Sequence, residues 1–239
     1  MVIAILYDLN VFVVSAIIAT FIYASYRDLL SREIPEVTWL PAYLITVVSA
    51  VMKFLGGHIL PLGALLSIMP ALTYLVLFLT GLIGGADFLA LLLVSIAHLH
   101  EPLVPLLTFV ISSLIPVPLV LLNLIENTVI SRKVIDSIVC VQGSKKFLYF
   151  IGRPTTVIQF LKKRYVFLHT YPIEGGYICS SSIDVDIDFE KQREMIEEAL
   201  RRGLMKPEDY VIYSPALPHV VFIALSYPIA LLITLYLNL

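Results

Sequence analysis

The chain has 239 residues, 59% of them hydrophobic and 14% charged, with a formal net charge of −2 and a mean hydropathy of +0.93. A water-soluble domain carries about a quarter charged residues, so the composition excludes an ordinary soluble protein and points to lipid as the solvent for the surplus apolar surface. The near-neutral balance identifies no partner. Two cysteines, Cys140 and Cys179, without a CxxC pair exclude a zinc ribbon, and two free thiols in a reducing compartment are expected.

Residues 1–10 lack the basic region of a signal peptide, so the first apolar segment is expected to remain as a membrane helix. Six apolar stretches then reach, or nearly reach, the length needed to cross a ~30 Å hydrocarbon layer. They cover residues 10–26, 37–55, 59–83, 88–97, 103–125 and 216–237, and the fourth is the shortest. Pro70, Pro116, Pro118 and Pro228 fall within or at these stretches and are tolerated where neighbouring helices satisfy the freed carbonyls. The expected fold is an α-helical polytopic membrane protein of about six transmembrane helices, with a small cytoplasmic α+β lobe between the fifth and sixth. Its parts are 1–126 with five helices, the lobe 127–213, and 214–239 with the last helix.

Basic residues set the orientation. Arg27 and Arg32 lie between the first two stretches, thirteen of the sixteen Lys and Arg lie in 127–213, and Lys53 alone falls near the other face. The positive-inside rule puts both basic regions in the cytoplasm and both termini outside, with Arg27, Arg32, Arg132 and Lys133 carrying most of the weight. Within the lobe, residues 147–151 and 165–170 read as short strands. Residues 183–189 alternate apolar and acidic with the period of a half-buried strand. Residues 190–202 read as a helix with Gly203 just past its end.

Carboxylates next to membrane spans are costly to keep and mark function. Asp28 ends the first stretch and Asp87 opens the fourth, and two intervening crossings return both to the cytoplasmic face. Two carboxylates in one partly desolvated place do not both ionise easily, and a pair sharing one proton can activate water and protonate a leaving amine. Gly84, Gly85 and Ala86 carry almost no side chain, which lets the backbone bend and a substrate strand approach.

These residues carry a resemblance. Tyr26-Arg27-Asp28-Leu29-Leu30-Ser31-Arg32-Glu33-Ile34-Pro35, Gly84-Gly85-Ala86-Asp87 and Tyr213-Ser214-Pro215-Ala216-Leu217-Pro218 resemble the archaeal prepilin and preflagellin (prearchaellin) peptidases, membrane aspartic proteases of the GxGD type. The resemblance implies Asp28 and Asp87 as catalytic residues, no metal or organic cofactor, and precursors of type IV pilin-like subunits and archaellins as substrates. Those precursors carry a short basic leader before an apolar helix and are cut at the cytoplasmic boundary between the two. Ala86 stands where the stricter motif has glycine, and Leu89 where a basic residue is often found. The cysteine-rich methyltransferase segment of the bacterial relatives is missing, so N-methylation is not expected. Glu33 and Glu36, near Asp28, are placed to attract a basic leader.

Other features read more plainly. Asp8, in Tyr7-Asp8, imitates the Tyr-Asp pair of presenilin-like proteases but falls on the outer side, where an N-cap of the first helix is expected. His98, His100 and Glu101 read as residues of a short external turn rather than a metal site. Asp184, Asp186 and Asp188 have the opening spacing of a calcium loop, but Phe189 and Met195 occupy its glycine and glutamate positions. Lys145-Lys146 and Lys162-Lys163-Arg164 read as contacts to anionic membrane lipids or as solvated faces, not a nucleic-acid surface. Two alternative functions are a presenilin or signal-peptide-peptidase-like intramembrane protease and a non-enzymatic ion-coupled transporter using intramembrane acids.

Overall fold

A computed structural model of the chain describes residues 2–143, 146, 148–180 and 188–237, with side chains from residue 9 onward. It divides into two compact units, one formed by Met1–Ile115 with Pro218–Leu239 and the other by Pro116–Leu217. The first unit opens with α1 (Val2–Ser31) and a single 3-10 turn at Glu36–Trp39, followed by α2 (Leu40–Leu55), α3 (Pro61–Leu79), α4 (Gly85–Ala97) and α5 (Leu103–Leu114). Because α1 starts at Val2, Asp8 lies inside the helix and is not its N-cap. The apolar run simply extends further toward the N-terminus than the hydropathy break at Asp8 indicates.

The second unit begins with α6 (Val117–Val129), so the expected fifth crossing consists of two helices that meet at Pro116, where a missing N–H interrupts the ladder. It continues through α7 (Arg132–Ser137), β1 (Cys140–Gly143), α8 (Leu148–Ile151), β2 (Arg153–Thr156), α9 (Val157–Phe160), β3 (Val166–Leu168), β4 (Thr170–Ile173), β5 (Gly176–Cys179), α10 (Phe189–Arg201) and β6 (Tyr210–Pro215). Two three-stranded sheets result: β1-β5-β4, where β1 and β5 are parallel, and the antiparallel β2-β6-β3. His169, in the step between β3 and β4, is buried and donates its backbone N–H to the Ile212 carbonyl at 2.8 Å, which ties one sheet to the other.

Three expectations for this unit are corrected. Residues 148–151 form a helical turn rather than a strand, because the Asn127 side chain donates to the Tyr149 and Gly152 carbonyls at 2.9 and 2.6 Å and so holds the segment curled. Asp188 is the N-cap of α10, accepting from the Glu190 N–H at 2.9 Å, and Phe189 is helical; the alternating stretch 183–187, with Asp184 and Asp186, lies outside the described residues. Cys140 and Cys179 are joined in a disulfide with their Cα atoms 5.6 Å apart, since the pairing of β1 with β5 brings together two thiols far apart in sequence. The end of α10 is as expected, with Gly203 in the left-handed region (φ 69°) just after the Arg202 C-cap. In the basic run 162–164, Lys163 lays its ammonium 4.8 Å above the Tyr213 ring; Lys145 lies outside the described residues.

The last helix, α11 (His219–Leu237), returns to the first unit and packs against α5, α1 and α4. Among the described residues five segments are long and apolar enough to cross a membrane: Leu9–Ser31, Glu36–Leu55, Pro61–Leu79, Leu103–Val129 and His219–Leu237. Helix α4, at 13 residues, extends about 20 Å, short of the hydrocarbon thickness. It is also the innermost helix, with Ala90, Leu91, Leu93 and Val94 fully enclosed. Around it Phe21 of α1 meets the edges of Trp39 and of Tyr227 on α11, with centroids 6.4 and 5.7 Å apart. Thr46, Ser49, Ser67, Ser95, Thr108, Ser112 and Ser226 are buried among these helices, the small hydroxyl residues that let membrane helices approach closely. Outward, Ile22, Phe54, Leu62, Leu79 and Leu235 are largely exposed. Only lipid accommodates such a belt without association. The protein is thus a polytopic helical membrane protein with a strand-containing lobe.

Candidate active site

Asp28 sits in the last turn of α1 and is 8% exposed. Arg32 ends that helix in a left-handed conformation (φ 57°), which turns its guanidinium back to 3.5 Å from Asp28 Oδ1. Asp28 Oδ2 is buried without a hydrogen-bond partner. Glu33 and Glu36 follow in the turn to α2 and are both exposed.

Asp87 is the third residue of α4, and its Oδ2 accepts the backbone N–H of the N-cap Gly84 at 3.2 Å. That reach-back starts the helix and fixes the carboxylate at the positive end of the α4 dipole. Gly84 has an ordinary backbone (φ −75°), so the glycine pair is not needed for unusual dihedrals. At Gly85 the requirement is space, since a Cβ would lie 3.3 Å from the Phe78 ring. Ala86 packs against the core of the bundle.

The start of α11 meets both carboxylates. His219 Nδ1 stands 3.6 Å from Asp87 Oδ1, and the backbone N–H of Val220 lies beside the Asp28 carboxylate. The charge of Asp87 also acts on Asp28, so the two belong to one electrostatic site. On its far side His219 Nε2 lies 3.4 Å from the Tyr74 hydroxyl of α3, which the side chains of Ser112 and Ser113 on α5 also meet. His219 and Tyr74 were not singled out by the sequence reading. The available signal was a lone histidine directly after Pro218, at the head of an apolar run.

The residues at the C-terminal end of α4 form a separate polar cluster. His98 is buried, with Nε2 3.0 Å from the Tyr227 hydroxyl and Nδ1 3.7 Å from Glu101, while Lys53 Nζ lies 3.4 Å from the His100 ring. Burial holds the His98 ring below the usual histidine range, and burial together with Lys53 pushes His100 down to about 4. Among the described residues no group of three His, Cys, Asp or Glu side chains is arranged to hold a metal ion.

The bundle and this pair define a polytopic membrane protein with a buried and a half-buried carboxylate, contributed by different helices, beside one helix start. Such a pair can share one proton and perform acid–base chemistry. The model of the type IV leader peptidase family matches residues 15–121, and that of the archaeal peptidase A24 C-terminus, type II, matches residues 144–234. The chain belongs to the type IV leader peptidase family, whose members are aspartic-type prepilin peptidases acting on prepilin-like precursors. No curated protein matches the chain.

Proposed function

We propose that the protein removes the short basic leader from type IV prepilin-like and prearchaellin precursors at the cytoplasmic boundary of the membrane, with Asp28 and Asp87 as its catalytic pair. The observation that carries this reading is the shared site of the two carboxylates, both addressed by the first residues of α11. One carboxylate takes a proton from water as the water oxygen attacks the scissile carbonyl carbon. The other gives its proton to the carbonyl oxygen. Collapse of the tetrahedral intermediate then returns a proton to the second and delivers the first to the leaving amine, so the pair ends as it began. No metal or organic cofactor enters these steps.

Two features support the substrate. A groove of about 420 Å³ runs between α1 and α11, lined by Ile18, Ile22, Ser25 and Leu29 on one side and Val221 and Leu225 on the other. It is apolar, open to lipid, and adjoins Asp28 in sequence on α1, which suits the apolar helix of a precursor. Glu33 and Glu36, exposed just beyond Asp28, suit its basic leader; reversing both charges raises KM, and an unchanged KM removes them from leader binding. The basic residues support a cytoplasmic lobe, with membrane lipids as further partners of Lys145-Lys146 and Lys162-Lys163-Arg164.

The test is co-expression with a prepilin-like or prearchaellin precursor, reading the mature N-terminus by mass spectrometry. Asp28→Asn and Asp87→Asn each abolish processing while remaining inserted. Substantial turnover by either variant refutes the pair.

A further inference from the structure

The two carboxylates share a site, but their surroundings are not equivalent. Asp87 lies in the first turn of α4, where the helix dipole favours an anion, and Asp28 in the last turn of α1, where the dipole opposes one. Both oxygens of Asp87 face nitrogen: Gly84 N–H at 3.2 Å on Oδ2 and His219 Nδ1 at 3.6 Å on Oδ1. Asp28 has Arg32 at 3.5 Å on Oδ1 and the Val220 N–H nearby, while its Oδ2 is buried and makes no hydrogen bond. A buried carboxyl oxygen with nothing to accept from is the natural seat of a hydroxyl that donates to substrate.

The ring of His219 is not free to choose its face. Tyr74 meets it at Nε2, with ring centroids 5.7 Å apart, and Phe222 packs edge-on at 5.9 Å. With the Tyr74 hydroxyl donating to Nε2, the ring proton resides on Nδ1, directed at Asp87. If the ring is charged, Nδ1 still carries a proton. Either form directs an N–H toward Asp87 Oδ1 across 3.6 Å, just beyond hydrogen-bond distance.

We propose that His219, seated by Tyr74, is a positioning residue that holds Asp87 as the carboxylate that activates water, leaving Asp28 as the acid that protonates the scissile carbonyl. This assignment rests on the peptidase reading and goes beyond it by distinguishing the two aspartates. Among the described residues the ionisable or charged groups facing the pair are Tyr74 from α3, His219 from α11 and Arg32 from the end of α1. Arg32 reaches Asp28 at the edge of hydrogen-bond distance, and with the Val220 N–H beside the carboxylate it offsets only part of the opposed dipole and the orphaned oxygen.

The variants are His219→Ala, His219→Asn, His219→Gln and Tyr74→Phe, purified in detergent and assayed against a prepilin-like precursor across pH. An asparagine amide nitrogen takes the place of Nδ1, and a glutamine amide that of Nε2. His219→Ala lowers kcat about 10- to 100-fold, the scale seen when a group that orients a functional side chain is lost, with KM little changed. Its acidic activity limb moves to higher pH, because a base without its donor ionises later. His219→Asn recovers most of kcat and the wild-type limb, His219→Gln does not, and Tyr74→Phe falls between. A uniform loss at all pH values, or equal rescue by asparagine and glutamine, overturns the assignment and leaves the peptidase reading intact, provided that the Asp28→Asn and Asp87→Asn variants are inactive. If wild type leaves the precursor uncut, the peptidase reading fails and this inference with it.

Discussion

The Tyr43 hydroxyl on α2 donates to the Leu89 carbonyl on α4 at 2.7 Å, two residues beyond Asp87. Helix α4 is too short to be anchored at both membrane interfaces, so its position depends on contacts of this kind. Tyr43→Phe keeps the ring and removes the bond. The expected cost is roughly 0.5–1.5 kcal/mol, or about 1–6 °C in apparent Tm for a chain of this size. Thermal unfolding of the detergent-solubilised variant checks it, and an unchanged Tm shows that packing alone seats α4.

The groove between α1 and α11 allows a separate test of the substrate path. Ala224 and Pro228 on α11 leave it open, and Ala224 is small. Ala224→Phe fills the groove while adding only apolar surface in lipid. KM for a precursor with its apolar helix rises about tenfold or more, a plausible loss for one blocked side-chain pocket, and kcat is retained. Leu65→Phe, on an exposed site of α3, serves as the control and leaves both constants unchanged. Wild-type KM in Ala224→Phe removes the groove from the substrate path.

Much of this architecture is legible in the residues because lipid imposes long apolar runs. Against such runs Asp28 and Asp87 stand out at once, one closing a helix and one opening another. The weakness of the fourth stretch was also legible and has a physical cause: α4 has no exposed residue and need not present a full-length face to lipid. What was not legible depends on pairing between distant segments. His219 acquires its meaning only when α3, α4 and α11 converge, and no local pattern encodes that. The disulfide follows from the parallel β1–β5 pairing, which spacing between cysteines does not reveal. At 148–151 the residues Leu-Tyr-Phe-Ile favour a strand by propensity, yet hydrogen bonds from Asn127 override it.

The disulfide has a measurable consequence. Cys140 and Cys179 are 39 residues apart, and closing a loop of that size restrains the unfolded chain by roughly 4 kcal/mol in the chain-entropy model. Cys140→Ser, or reduction by dithiothreitol, therefore exposes the lobe 116–217 to limited proteolysis at lower temperature than in the oxidised protein. Intact-mass measurement with and without alkylation shows whether the purified protein holds the bond. Equal protease resistance in both forms denies it a stabilising role.

The cluster at the end of α4 predicts how stability depends on pH. His98 is held low by burial, and His100 is pushed down to about 4 by burial and by Lys53, His98 and His58 against the opposing charge of Glu101. Both rings are neutral in the folded protein at pH 7. In the unfolded chain they bind protons near the ordinary value of about 6.5. Between about 6.5 and 4 the unfolded state thus carries more protons, so stability is full above this window and falls as the pH drops through it. Glu101 is itself held below its usual range by the contact with His98, so its contribution is lost only at more acid pH. For His100 the full depression corresponds to at most ~3 kcal/mol at 1.36 kcal/mol per unit, reduced by partial solvent screening to roughly 1–2 kcal/mol. His100→Gln should therefore lose less apparent Tm than wild type between pH 7.5 and pH 4.5, the difference being a few degrees. Parallel pH profiles for the two proteins would show that His100 stays ordinary in the fold, and that Lys53 does not press on it across the 3.4 Å contact.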